Sequence, residues 1–84
     1  MYIWNLETMS NPSPIIHTLN PTKWIDNYSD YLFRYTFIRV NNHEVSKDLV
    51  QETFFSGLKS AKNFQGKATE RTWLISILKR KIID

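Results

Sequence analysis

With 84 residues and no cysteine, the chain is bounded to one small domain without disulfides or thiolate metal sites, as suits a reducing compartment. Its apolar runs are too short to span a bilayer and its N-terminus lacks a basic region followed by an apolar stretch, so a soluble cytoplasmic protein with no membrane partner is expected. The net charge of +3 hides an asymmetry, −1 over residues 1–61 (five Lys/Arg, six Asp/Glu) and +4 over residues 62–84 (six Lys/Arg, two Asp/Glu), which fits a polyanion-facing segment and a solvated helix equally well.

Residues 1–19 read as a loosely attached leader, because Asn11-Pro12-Ser13-Pro14 is a poor interior for helix or strand. At most a short turn is expected at Tyr2–Met9, and Tyr2 and Trp4 either pack on the domain or stay disordered. The domain spans residues 20–84. Asn20-Pro21 opens a first long helix, the asparagine capping an orphan amide and the proline suiting the first helical position. Along it Trp24, Tyr28, Tyr31, Leu32, Tyr35 and Ile38 recur at three- and four-residue spacing. Phe33, Phe37 and Val40 form a second stripe, so cover on two sides is expected. Asn41-Asn42 stops this helix.

A second helix is predicted from about His43 to Ala61, with Val50, Phe54, Leu58 and Ala61 on its core face and Val45 and Leu49 on a flank. Asn63–Ala68 is a loop centred on Gly66, and Thr69 caps a third helix from Glu70 onward. Leu74, Ile77, Leu78 and Ile82 are its buried stripe. Nothing reads as a strand, so the fold class is all-α, a compact three-helix bundle. Ile82-Ile83-Asp84 is still in helical register, which suggests one domain cut from a longer protein.

Three constellations can carry function. On the second helix Glu44, Asp48 and Glu52 line one side, with Gln51, Phe55 and Lys59 beside them. Like charges at i,i+4 cost an isolated helix roughly 0.2–0.5 kcal/mol per pair. This is either a site for a basic partner or a solvated face with Phe55 tucked under a neighbouring helix. In the second constellation Lys62, Asn63, Phe64, Gln65, Gly66 and Lys67 precede Arg71, Thr72 and Trp73. Cations for phosphates, rings for stacking and amides for base edges suit single-stranded nucleic acid, and glycine allows close backbone approach. An ordinary turn whose Phe64 and Trp73 plug the core explains the same residues. The third is Lys79-Arg80-Lys81, with Thr72, Ser76, Lys79, Arg80 and Ile83 on the face opposite Leu74 and Ile77. Catalytic patterns are missing: no serine or threonine has a His and carboxylate pairing, no glycine-rich phosphate loop exists, and His17 and His43 lack ligand spacing. An enzyme is not expected.

In order, these residues resemble region 2 of a bacterial sigma factor of the sigma-70 family, in its extracytoplasmic-function (ECF) group. Asp48-Leu49-Val50-Gln51-Glu52-Thr53-Phe54 is similar to the family's second-helix motif. Phe64-Gln65-Gly66 followed by Arg71-Thr72-Trp73-Leu74 is similar to its aromatic-x-glycine loop and Thr-Trp-Leu signature, and Ile77–Asp84 resembles its closing helix. The similarity covers about Trp24 to Asp84.

The resemblance implies transcription initiation. Asp48, Gln51 and Glu52, with Phe55 added, would dock on the clamp helices of the beta-prime subunit of core RNA polymerase. The loop and third helix would bind the non-template strand of the minus-ten promoter element as it melts. Asn63, Phe64, Gln65, Gly66 and Lys67 would form a pocket or rim for an extruded base, with Trp73 at the upstream edge of the bubble. Lys62, Arg71, Thr72, Ser76, Lys79 and Arg80 would complete the DNA-facing set. An anti-sigma factor is a further implied partner, and no cofactor or metal is implied. Two positions depart from the pattern: Glu70 sits where many relatives carry an aromatic, and Arg80 where many carry an asparagine. The rival readings are a helix-turn-helix DNA-binding domain, which needs a tight turn between its last two helices, and a helical protein-interaction module.

Overall fold

The computed structural model describes residues 16–83. The expected Tyr2–Met9 turn, the packing of Tyr2 and Trp4, and the terminal Asp84 lie outside the described residues. A 3₁₀ turn at Pro21–Lys23 leads into α1 (Trp24–Val40), then α2 (His43–Ser60), a second 3₁₀ turn (Ala61–Asn63) and α3 (Glu70–Ile83). No strand occurs among the described residues, and the expected all-α three-helix bundle is what forms. The start of α1 lies beside the start of α3 and their ends also meet, so these two helices run the same way and α2 runs against both. Among the described residues no helix is long and apolar enough to cross a membrane.

The sequence dictates most helix ends. Asn41 takes the left-handed conformation (φ 51°) and its amide closes on the Phe37 carbonyl at 2.8 Å. Asn42, extended, then accepts the Val45 amide on its side chain at 2.9 Å. Adjacent asparagines thus end one helix and cap the next. Thr69 caps α3, its hydroxyl accepting the Thr72 amide at 3.1 Å. The expected Asn20 cap does not form. Its side-chain oxygen is taken by the Thr22 hydroxyl at 2.9 Å, Pro21 opens a 3₁₀ turn instead, and α1 proper begins at Trp24.

At the centre sit Trp24 (2% exposed), Leu32, Val50, Leu74 and Leu78. Burial matches the predicted stripe of α3 at Leu74, Ile77 and Leu78, with Ile82 half-buried. It matches α1 only in part: Tyr31 and Ile38 (77% exposed) face outward, and Thr36 is buried, its hydroxyl donating to the Leu32 carbonyl at 2.8 Å.

The predicted face of α2 is wrong by a partial turn. Its buried residues are Ser46, Val50, Thr53 and Gly57, whereas Phe54 is half-buried and Leu58 is 54% exposed. This helix packs against both neighbours, and small residues let all three axes close in. Ser46 and Thr53 enter without an unsatisfied hydroxyl because each donates to the carbonyl four residues back, Asn42 at 2.7 Å and Leu49 at 2.8 Å. At Gly57 an added Cβ would stand 3.1 Å from the Trp24 ring and 3.2 Å from Leu74 Cδ2.

Gly57→Val should therefore overpack the Trp24 seat and destabilise the domain by about 1–3 kcal/mol, measured as a lower urea midpoint. An unchanged midpoint would mean that Trp24 does not seat against α2.

Candidate functional site

The rotation that buries Ser46, Val50, Thr53 and Gly57 turns Asp48 and Phe55 to the middle of the outer face of α2. Phe55 is 63% exposed, which removes the reading in which it tucks under a neighbouring helix. Lys59 lies over its ring at 4.9 Å, an exposed cation–π contact. Gln51 stands at the α1 edge of this face, in an open hollow of about 330 Å³ shared with Asp30, Phe33, His43 and Lys47. Glu52 stands at the α3 edge, 4.0 Å from Lys81 Nζ, in a groove that also holds Ser56, Ser60 and Arg80. The result is a carboxylate-bearing face with one solvated aromatic at its centre.

The second surface grows out of the link between α2 and α3. After the Ala61–Asn63 turn the chain extends at Phe64, whose amide reaches back to the Ala61 carbonyl at 3.1 Å. Asn63, Phe64, Gln65, Lys67, Ala68 and Trp73 together line an open hollow of about 220 Å³. Phe64 and Trp73 meet edge to face at 5.1 Å and each is half-buried; Trp73 packs on the core with one side, Phe64 packs on Trp73, and both rings line the hollow. Lys62, Asn63, Gln65 and Lys67 are exposed around them. Gly66 has φ 76°, a conformation that favours glycine. A Cβ there would meet Ile16 Cγ2 at 2.5 Å and the His17 carbonyl oxygen at 2.9 Å, and the His17 amide donates to the Gly66 carbonyl at 2.9 Å. What approaches this glycine closely is the chain's own residues 16–17, which sequence reasoning had placed in the loose leader.

The remaining candidates diverge from the hollow. Arg71 stacks over Tyr31 of α1 at 4.7 Å. Thr72 bonds with Thr69, and the exposed Ser76 donates to the Trp73 carbonyl at 2.6 Å. Lys79 shares a hollow with Tyr35 and Arg39 on the α1 side, whereas Arg80 lies on the α2 side beside Glu52. The structure therefore gathers Asn63, Phe64, Gln65, Lys67 and Trp73, and leaves Arg71, Lys79 and Arg80 apart. No group of three or more metal-ligating side chains occurs among the described residues.

Sequence reasoning missed the residue that fastens this region. The Glu70 carboxylate accepts the Trp24 indole N–H at 2.9 Å, the Tyr28 hydroxyl at 3.0 Å, and the Asn20 amide. The signals were an acid in the first turn of a helix, which the dipole favours at any such position, and its departure from the family's aromatic, and neither points to Trp24 or Tyr28. Burial, reinforced by the Glu70 carboxylate, holds the Tyr28 phenol above the ordinary tyrosine value, with Arg71 pulling the other way.

Residues 24–84 match the family model described as Sigma-70 region 2. Among curated proteins the chain is similar to a probable RNA polymerase sigma factor of Haemophilus influenzae, 45% identical over 56% of this chain and 24% of that protein. It is also similar to two Bacillus subtilis proteins. The ECF RNA polymerase sigma factor SigX is 36% identical over 70% of this chain and 30% of its own length. The RNA polymerase sigma factor YlaC is 35% identical over 68% and 33%. The chain thus spans about a quarter to a third of the curated relatives it matches. No solved structure matches it.

The Tyr28–Glu70 contact has a pH signature. With its pKa raised by folding, the protonated phenol contributes stability that is whole below about pH 10 and is lost as pH rises through the folded value. The stability difference between wild type and Tyr28→Phe should accordingly shrink above about pH 10 in urea titrations. A difference that does not change with pH would rule the contact out.

Proposed function

The chain belongs to the Sigma-70 region 2 family, and from that membership we propose that it serves bacterial transcription initiation as the promoter-opening domain of an ECF sigma factor. In this reading the outer face of α2 docks on the beta-prime clamp helices of core RNA polymerase through Asp48, Gln51, Glu52 and Phe55. The loop hollow captures the non-template strand of the minus-ten element. The observation that carries the reading is the hollow itself: two half-exposed rings, two amide side chains and a lysine converge there, within the matched residues.

The chemistry asked of it is binding, not bond making. Extruding a base costs a few kcal/mol of pairing and stacking. Stacking on an aromatic is worth about 1–3 kcal/mol per base, and cations that neutralise phosphates add to it. Phe64 and Trp73 supply the ring surface, Asn63 and Gln65 the hydrogen bonds to an unpaired base edge, and Lys62 and Lys67 the positive rim. Gly66 gives the loop its shape. Arg80 and Lys79, on opposite flanks of α3, contact phosphates on either side of the captured strand. The link from Ala61 to Thr69, with its 3₁₀ turn and extended Phe64, favours strand capture over the tight turn that groove insertion by a helix-turn-helix needs.

Two binding assays test this. Asp48→Lys and Glu52→Lys should each weaken binding of a beta-prime clamp-helix fragment about tenfold, read by fluorescence anisotropy, while leaving oligonucleotide binding in place. Trp73→Ala should cost about 1–3 kcal/mol in affinity for a single-stranded minus-ten oligonucleotide, and Lys67→Ala should flatten its log–log salt dependence by about 0.7. Clamp binding that ignores both reversals, or oligonucleotide binding that ignores both loop variants, contradicts the corresponding half.

A further inference from the structure

Residues 16–20 lie across the base of the loop. The His17 amide donates to the Gly66 carbonyl at 2.9 Å, the Asn20 amide donates to the Glu70 carboxylate, and Leu19 between them packs on the core. Ile16 and the His17 carbonyl occupy the space that a Cβ on Gly66 would fill. The two amide contacts fall on either side of Lys67–Thr69, so one segment is fastened at both ends of the second half of the loop. Glu70 also holds Trp24 and Tyr28, which ties the same carboxylate to α1.

We infer that His17–Asn20 is a positioning strap that fixes the loop in the shape that captures the strand, with Gly66 and Glu70 as its two anchor points. The inference rests on the proposed single-strand reading of the hollow. Its physical basis is ordering. A loop of exposed polar residues around one glycine has little packing of its own, and each residue left free must be immobilised when a strand binds. One backbone amide bonded to the loop at Gly66, and a second bonded to Glu70 where α3 begins, make part of that ordering before the ligand arrives. The arrangement also gives Glu70 a use that an aromatic at the same place could not serve, since an aromatic ring offers no carboxylate to a backbone amide. The strap's hydrogen bonds to this region reach the Gly66 carbonyl and the Glu70 carboxylate and none of the side chains proposed to read a base, so His17, Leu19 and Asn20 are positioning residues.

The test is His17→Pro in the full 84-residue chain, which deletes the amide donor and leaves the hollow-lining side chains unchanged. Hydrogen exchange at the amides of residues 62–69 and anisotropy with a labelled single-stranded minus-ten oligonucleotide are read together. The expected result is faster exchange confined to that loop and about three- to tenfold weaker oligonucleotide binding, with helical circular dichroism and clamp-fragment affinity unchanged. Should the proline lower the helical signal, a chain beginning at Asn20 is measured in the same way. Unchanged loop exchange overturns the strap, and faster exchange with unchanged oligonucleotide affinity overturns its positioning role. A wild type that does not bind the oligonucleotide overturns the functional reading, and the strap's role in capture with it.

Discussion

The Trp24 indole is the contact on which the other elements depend. It is the first residue of α1 and one of the most buried in the domain. One part of its ring system rests where Gly57 leaves room on α2, and it stacks with Phe54 at 6.2 Å. Its flank meets Trp73 of α3 at 6.3 Å, and its N–H is satisfied by Glu70. A buried indole N–H without an acceptor would cost about 1–3 kcal/mol, so the ring and the carboxylate are a matched pair. Through that pair the helix proposed to dock, the loop proposed to capture DNA and the segment before α1 are fixed to a single point.

The rotation of α2 follows from the same seat. Once Gly57 must face Trp24, Ser46, Val50 and Thr53 go inward with it, and Asp48 and Phe55 have no choice but to face solvent. A larger residue at position 57 would push the helices apart and loosen both surfaces. The two surfaces also meet along one seam, where Glu52 shares a groove with Arg80 and Lys81. Glu52 is exposed and meets the half-buried Lys81 only at 4.0 Å, a contact worth little, about 0–1 kcal/mol, so Glu52 is not committed to Lys81 and stays available to a basic partner. Acid and base side by side at the seam put the face proposed for docking next to the face proposed for DNA, not on the opposite side of the domain.

Much of the fold was legible in the sequence because its signals are local. Asn41-Asn42 and Thr69 act on amides within one turn, and Leu74, Ile77 and Leu78 repeat at helical spacing. The face of α2 was not legible, since periodicity favours large apolar residues and this helix buries a serine, a threonine and a glycine against two neighbours. Nor was the role of Glu70, whose three donors lie 42 to 50 positions away in the chain. Of the candidate site, the loop cluster around Phe64 and Trp73 assembled as the residue types suggested. The scatter of Arg71, Lys79 and Arg80 depends on which neighbour each side of α3 faces, and three consecutive cations in a sequence carry no record of that.

The central claim is that one small bundle presents two adjacent but separate binding faces. Backbone amide chemical-shift mapping of the labelled chain tests it most directly, with the clamp-helix fragment and the single-stranded minus-ten oligonucleotide added in separate titrations. The fragment should move resonances around Asp48, Gln51, Glu52 and Phe55, and the oligonucleotide those from Asn63 to Trp73, with overlap confined to the Glu52–Lys81 seam. Perturbation of one common set by both ligands, or of neither set, would contradict the account.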